Sequence, residues 1–267
     1  WEDLNGDGIQ NDGATGIENV LVTLTGTTGN GTAVSLNETT DGRGYYLFEN
    51  LYPGDYTVNF ALPTGYGYTY QNEGDDDGLD SDADETTGDV TGITMISGVP
   101  NLTIDAGLID LSNTNIGDYV WEDLNGDGIQ NDGATGIENV LVTLTGTTGN
   151  GTAVWLTETT DGSGYYLFEN LYPGDYTVNF DLPTGYIYTY PNEGGDDTLD
   201  SDADETTGDI SGGTMWSGVT YLTIVAGLLV LNNTNIVDDV SEDLNDAGIQ
   251  TDGATYIETV LVTYIRQ

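Results

Sequence analysis

Oxygen-donor side chains stand at alternate positions, Asp3, Asn5 and Asp7, of the stretch Asp3-Leu4-Asn5-Gly6-Asp7-Gly8-Ile9. As a cation loop, Asp3, Asn5 and Asp7 fill positions 1, 3 and 5, Gly8 supplies the sharp turn at position 6, and Ile9 offers its carbonyl at position 7. The alternation matters because a hard cation takes about six to eight oxygens at roughly 2.3–2.6 Å, and alternate residues of a tightly wound loop point inward. Position 12, where a bidentate Glu normally stands, is Ala14, so the site is either weak or completed from elsewhere, with Glu18 and Asp12 nearest. The loop returns as Asp123, Asn125, Asp127 and Ile129, with Glu138 in the place of Glu18. The expected cofactor is Ca2+. The plain alternative is an Asx-Gly turn between strands.

A second acidic run, Asp75, Asp76 and Asp77 followed by Asp80, Asp82, Asp84 and Glu85, recurs as Asp196, Asp197, Asp200, Asp202, Asp204 and Glu205. Carboxylates crowded in this way repel by about 1 kcal/mol per close pair even in water, unless a cation sits among them. The bland reading is a solvated acidic loop. Gly74, Gly88 and the D-x-D-x-D rhythm favour coordination.

Composition points the same way. The chain carries 46 Asp and Glu against two basic residues, Arg43 and Arg266, and has no Lys, His or Cys. Nucleic acid is excluded as a partner, because phosphate binding needs Lys and Arg to release counterions, and an anionic membrane surface is disfavoured for the same reason. With 37% hydrophobic residues and 18 Tyr the chain is too apolar to stay disordered, so a cation is expected to neutralise the carboxylates as it folds. Disulfides are impossible, and no apolar run reaches the roughly 20 residues of a membrane span, so no direct membrane insertion is expected. Paired acids serve glycoside hydrolysis only when an apolar pocket raises one pKa. With the usual nucleophiles and bases also missing, no enzyme is expected. Trp155 and Trp216, which replace Ser35 and Ile96 of the first copy, are either a sugar-stacking surface or ordinary packing.

The elements that must position these acids come as a repeat. Residues 121–154 restate residues 1–34 letter for letter, and a third copy starts near Ile236, with Ala247 replacing its position 5 ligand, so no calcium is expected there. The expected division is a β-sandwich repeat over 1–115, a second over 116–235 and a partial third repeat or donor-strand tail over 236–267. The chain reads as a window from a longer array. Residues 17–25, 33–39, 44–48, 55–60 and 102–111 are short, rich in Val, Ile, Thr, Tyr and Phe, and bounded by turn signals such as Asp41-Gly42 and Pro53-Gly54. The predicted fold class is all-β, with tandem two-sheet sandwiches of Ig-like or prealbumin-like type carrying calcium-binding loops. Tyr46, Phe48, Tyr56, Val58 and Phe60 are the expected core, with Tyr45 and Thr57 facing away.

The lead-in Gly117-Asp118-Tyr119-Val120-Trp121-Glu122-Asp123 with its N-G-D-G-I-Q loop, the stretch from Thr40 to Phe48, Leu51-Tyr52-Pro53-Gly54-Asp55-Tyr56, the Asp80-Ser81-Asp82-Ala83-Asp84 run and Leu102-Thr103-Ile104-Asp105-Ala106-Gly107-Leu108 together resemble the SdrD B-like repeat of bacterial surface adhesins. The middle stretch is similar to the wider Cna-B, prealbumin-like superfamily. The resemblance implies an extracellular, cell-surface stalk domain stiffened by Ca2+ at the D-x-N-x-D-G loop and further acidic sites. The chain departs from the pattern at Gly13-Ala14, where Gly-Glu is common, and at Val225, where the first copy has Asp105. Without Lys, the Lys-to-Asn crosslink of Cna-B relatives is closed. Expected partners are neighbouring repeats or copies of itself, with the tail over 236–265 able to complete another copy's first sandwich as a filament, and a host glycan or protein ligand as the rival role.

Overall fold

The computed structural model describes residues 1–231. The third copy, its loop at Ala247 and the tail lie outside the described residues. Repeat 1 supplies β1 (Leu21–Thr28), β2 (Ala33–Thr39), β3 (Gly54–Phe60), β4 (Tyr66–Tyr68), β5 (Asp89–Met95) and β6 (Leu108–Asp110). β7 (Asn115–Glu122) leads into repeat 2, which adds β8 (Leu141–Thr148), β9 (Ala153–Thr159), β10 (Tyr165–Phe168), β11 (Gly174–Phe180), β12 (Tyr186–Tyr188), β13 (Asp209–Met215), β14 (Thr220–Tyr221) and β15 (Ala226–Val230). The described residues are all-β, as the patterning predicts. One face of each sandwich is a four-stranded sheet, β2-β1-β3-β5 in repeat 1 and β13-β11-β8-β9 in repeat 2.

Alternation fixes the register. Val22 pairs with Phe60 and Leu24 with Val58, so one face of the β1–β3 ladder is apolar and the intervening Thr residues point away. Each repeat has its own core: Val22, Leu24, Tyr56, Val58 and Phe60 in the first, and Val142, Leu144, Tyr176, Val178 and Phe180 in the second. Tyr46 meets Phe60 edge-to-face at 5.5 Å, a geometry favoured by the ring quadrupoles. Tyr45 faces solvent, as expected.

Residues 44–48 depart from the predicted strand. In repeat 2 the matching β10 is laddered to β7, Tyr165 opposite Tyr119 and Phe168 opposite Ile116, and Tyr166 and Phe168 are buried. In repeat 1 no counterpart of β7 occurs among the described residues, so 45–48 has no ladder partner and Tyr46 and Phe48 are only half-buried. A cavity of about 780 Å³, lined by Trp1, Tyr46, Phe48, Phe60, Ile104 and Leu108 among others, opens beside them. Two strands also have other bounds than predicted. β1 starts at Leu21 because Asn19 turns the chain at φ 64°, and of 102–111 only β6 pairs as a strand, with β4.

The two repeats form one compact unit, Trp1–Val230. At their junction the turn after β13 inserts against repeat 1: Ser217 N donates to Leu4 O at 2.8 Å, Ser217 Oγ donates to Glu2 Oε1 at 2.8 Å, and Asp110 N donates to Ser217 Oγ at 2.8 Å. Tyr70 and Tyr172 stack tilted at 5.8 Å, and Tyr70 Oη donates to Thr148 Oγ1.

Candidate metal centre

Backbone pairing joins the two acidic motifs at one end of each sandwich. Ile9 bridges Asp80, Gln10 N donates to Leu79 O at 2.6 Å and Ser81 N donates to Gly8 O at 3.1 Å. Repeat 2 restates the bridge between Ile129 and Asp200. Gly8 holds φ +80°, and a Cβ there would lie 2.7 Å from Tyr70 O, so position 6 of the loop admits only glycine without strain. Asp3 N donates to Leu108 O, hanging the first loop on the end of β6.

The second run holds the carboxylate cluster. Asp77, Asp80 and Asp82 bring one oxygen each within 4.8 Å of one another, and so do Asp197, Asp200 and Asp202. Asp80 and Asp200 are buried, and the Oδ1 of each has no hydrogen-bond partner among the described residues. A buried, unpaired carboxylate oxygen is costly. Burial, then Asp77, pushes the Asp80 carboxyl above its ordinary range, and burial, opposed by the hydrogen bond from Asp105 N and reinforced by Asp77 and Asp80, brings Asp82 to about 6. Burial, with Asp197 and Asp200 adding, takes Asp202 to about 7. Hard oxygens, like charge and an orphaned buried acceptor fit a divalent hard cation, and without His or Cys a softer metal finds no preferred donor.

In the first loop the side-chain oxygens are engaged by the loop itself. Asp3 Oδ1 accepts from Gly6 N at 2.7 Å and Asp3 Oδ2 from Gly8 N at 2.8 Å, while Asn5 Oδ1 accepts from Asp7 N and Asp7 Oδ1 from Ile9 N. Asp123, Asn125 and Asp127 repeat the pattern. The Ile9 and Ile129 carbonyls accept from Asn11 N and Asn131 N. Of the two residues nearest for completing this loop, Asp12 reaches back to accept from Leu4 N at 2.8 Å, whereas Glu18 lies over Gly42 and Glu138 over Gly162.

The remaining acids of the run do other work. Asp84 and Asp204 cap turns, each accepting from two Thr backbone amides and a Thr hydroxyl, which holds their carboxyls below the usual range. Asp76 accepts from Gly78 N and Asp196 from Thr198, and Asp75 is exposed outside the cluster. Three contributors escape local spacing. Thr69 and Thr189 donate their hydroxyls to Asp3 and Asp123 from 66 residues away. Asp105, whose amide donates to Asp82 Oδ2 at 2.9 Å, adds a half-buried fourth acid to repeat 1, and burial with Asp82 beside it takes that carboxyl to about 7. Only its mismatch with Val225 between the copies marked it in the sequence. Trp155 is exposed on β9 and Trp216 follows β13, the two opposite edges of one sheet, so they do not form one platform.

Comparison with known proteins identifies the family. Over 98% of its length the chain is 44% identical to serine-aspartate repeat-containing protein F of Staphylococcus epidermidis and 38% identical to serine-aspartate repeat-containing protein D of Staphylococcus aureus strain Newman, of which it spans 15% and 19%. Among solved structures it is similar to GBS52, a minor pilin of Streptococcus agalactiae, at 14% identity over 84% of this chain and 88% of that one, with a TM-score of 0.28. The SdrD B-like domain family matches residues 1–108 and 114–228, and the chain belongs to that family of extracellular, cell-surface, non-enzymatic repeat domains.

Proposed function

We propose that the chain is a structural stalk segment whose sandwich repeats, 1–115 and 116–235, are stabilised and stiffened by Ca2+, and that such segments join head to tail. The observation that carries the calcium reading is the pair of carboxylate triads, each with a buried oxygen lacking a partner. Asp77, Asp80 and Asp82 would hold the ion in repeat 1, with Asp105 beside them, and Asp197, Asp200 and Asp202 in repeat 2. The D-x-N-x-D-G loops, stitched to these runs by the Ile9–Asp80 and Ile129–Asp200 bridges, are the second candidate set. Bound calcium supplies positive charge that offsets the crowded acids. The protein supplies the cradle, because β6 and β15 fix where both loops start.

Thermal melting in calcium and in EDTA tests this. One site held at a hundred times its dissociation constant adds about 2.7 kcal/mol to the folded state. For a domain of this size the midpoint is then expected to fall by roughly ten degrees or more on chelation. Superimposable melting curves in the two buffers would remove the calcium reading.

A further inference from the structure

Residues 121–180 match residues 1–60 at all but three positions, and the three fall along one strand and the turn after it. Ser35 becomes Trp155 and Asn37 becomes Thr157, both on β9, and Arg43 becomes Ser163 in the turn that follows. Residues 116–235 thereby hold no basic side chain. Thr145 lies opposite Trp155 and Leu144 opposite Leu156, so Trp155 and Thr157 stand on the outer face of the sheet and Leu156 on the inner one. Trp and Thr also favour a pleated strand more than Ser and Asn do.

β9 is an edge of its sheet, with β8 as its ladder partner among the described residues. β2 is an edge of repeat 1 in the same way although repeat 2 follows it, so the open edge belongs to the sandwich and not to its place in the chain. An edge strand presents a row of unpaired N–H and C=O groups, which Lys, Pro or a bulge commonly blunts. β9 has none of the three, and its one charge is Glu158. Trp155 is 74% and Leu156 41% exposed. A strand laid beside β9 sets one side chain about 4.5–5.5 Å from Trp155 on the outer face, and its neighbours in sequence beside Leu156 and Val154 on the inner one. Trp is the best aromatic partner for a cation. Glu158, Asp161 in the following turn and Asp175 on the outer face of β11 are all exposed, on a chain of net charge −44, so the field at this edge draws positive charge.

We propose that β9 is a docking edge for an extended basic segment of a partner protein, which adds as a fifth strand to the sheet β13-β11-β8-β9 with a Lys or Arg over Trp155 and an apolar residue beside Leu156. Main-chain hydrogen bonds supply affinity and the alternating side chains supply specificity. A second copy of this chain brings like charge to the edge, and a neutral glycan gains nothing from its unpaired amides. The role goes beyond that of a stalk. Because β9 lies outside both acidic motifs, loss of docking and loss of calcium binding are separable.

The probe is an acetylated, amidated peptide alternating Lys and Val, titrated calorimetrically into the full chain at physiological salt, where long-range attraction is screened. One peptide per chain is expected. Trp155→Ser installs the residue that repeat 1 carries on the same strand, so the melting curve is expected to stay in place while affinity falls by about tenfold. The same peptide with Pro for its central Val residues keeps its charge but loses amide donors, and is expected to bind at least about tenfold more weakly. Ser35→Trp with Asn37→Thr and Arg43→Ser makes residues 1–60 identical to 121–180 and is expected to raise the stoichiometry to two. Equal affinity for the Pro peptide, binding indifferent to Trp155→Ser, or a stoichiometry that stays at one would overturn the proposal. So would self-association of the chain, or binding of cellohexaose, that Trp155→Ser abolishes, since either gives the edge a different occupant.

Discussion

Asp82 and Asp202 carry opposite signs in the free and loaded states. Each sits in a triad where burial raises its carboxyl, to about 6 in Asp82 and about 7 in Asp202, so its charge opposes folding when no cation is present. On the proposed reading the same charge is a ligand when one is. Asp82→Asn with Asp202→Asn is therefore expected to raise the melting temperature in EDTA and to lower calcium affinity by on the order of tenfold or more, about 1.4 kcal/mol per decade. Calorimetric titration and melting in the two buffers read the two halves separately. A lower midpoint in EDTA would show that these carboxylates stabilise the fold by themselves. Position 105 makes the same point without mutation. The sandwich tolerates either a half-buried acid beside Asp82 or, in the second copy, a fully buried Val225 packed with Tyr119 and Trp121. The acidic run marked where the triads lie, because Asp77, Asp80 and Asp82 fall within a few residues of each other, but its D-x-D-x-D rhythm also took in Asp84, which caps a turn instead. Local spacing was blind to Thr69 and to the pairing of the two loops, which the sheet brings together from distant parts of the chain.

Among the strands, β7 decides how far each sandwich is closed. Its antiparallel ladder to β10 and parallel ladder to β15 cover Tyr166, Phe168 and Leu228, whereas the same positions in repeat 1 border a cavity. Amide exchange is expected to show the difference. Amides of Tyr165–Phe168 should exchange at least about tenfold more slowly than those of residues 45–48, since protection follows the cost of opening the hydrogen-bonded element. Equal protection at matched positions in the metal-loaded chain would mean that another segment covers 45–48. Sequence patterning identified both stretches as strands because they share the Tyr-Tyr-Leu-Phe alternation. Pairing, unlike alternation, needs a neighbour, and the neighbour is encoded some 50 residues away in β7. For the same reason β2 and β3 were readable nearly to the residue, since their partner β1 is close in sequence and their apolar face is continuous.

Over the whole molecule, the net charge of −44 makes proton, salt and calcium three routes to one effect. Buried Asp82 and half-buried Asp105 and Asp202 have carboxyls raised to about 6, 7 and 7, so between the ordinary carboxylate pKa and pH 7 the folded state binds more protons than the unfolded chain. Calcium-free stability must then fall as pH rises through that window. The capping acids Asp84 and Asp204, held below the ordinary range, act with the opposite sign, and what they contribute is lost only as pH falls through their depressed values. In EDTA the melting temperature is expected to pass through a maximum near pH 4 to 5, just above the ordinary carboxylate pKa, and to decline steadily toward pH 8. Added NaCl should recover part of that decline, because exposed charges are screened beyond about 8 Å at physiological ionic strength. On the proposed reading calcium takes the oxygens that protons would, so its stabilisation is expected to grow with pH, and in saturating calcium the decline between pH 5 and 8 is expected to flatten or reverse. Differential scanning calorimetry at half-unit pH steps, with and without calcium, resolves both curves. Parallel curves would mean that the ion binds away from the groups that titrate. Curves that converge at low pH and separate above pH 6 would place ion and proton on the same carboxylates.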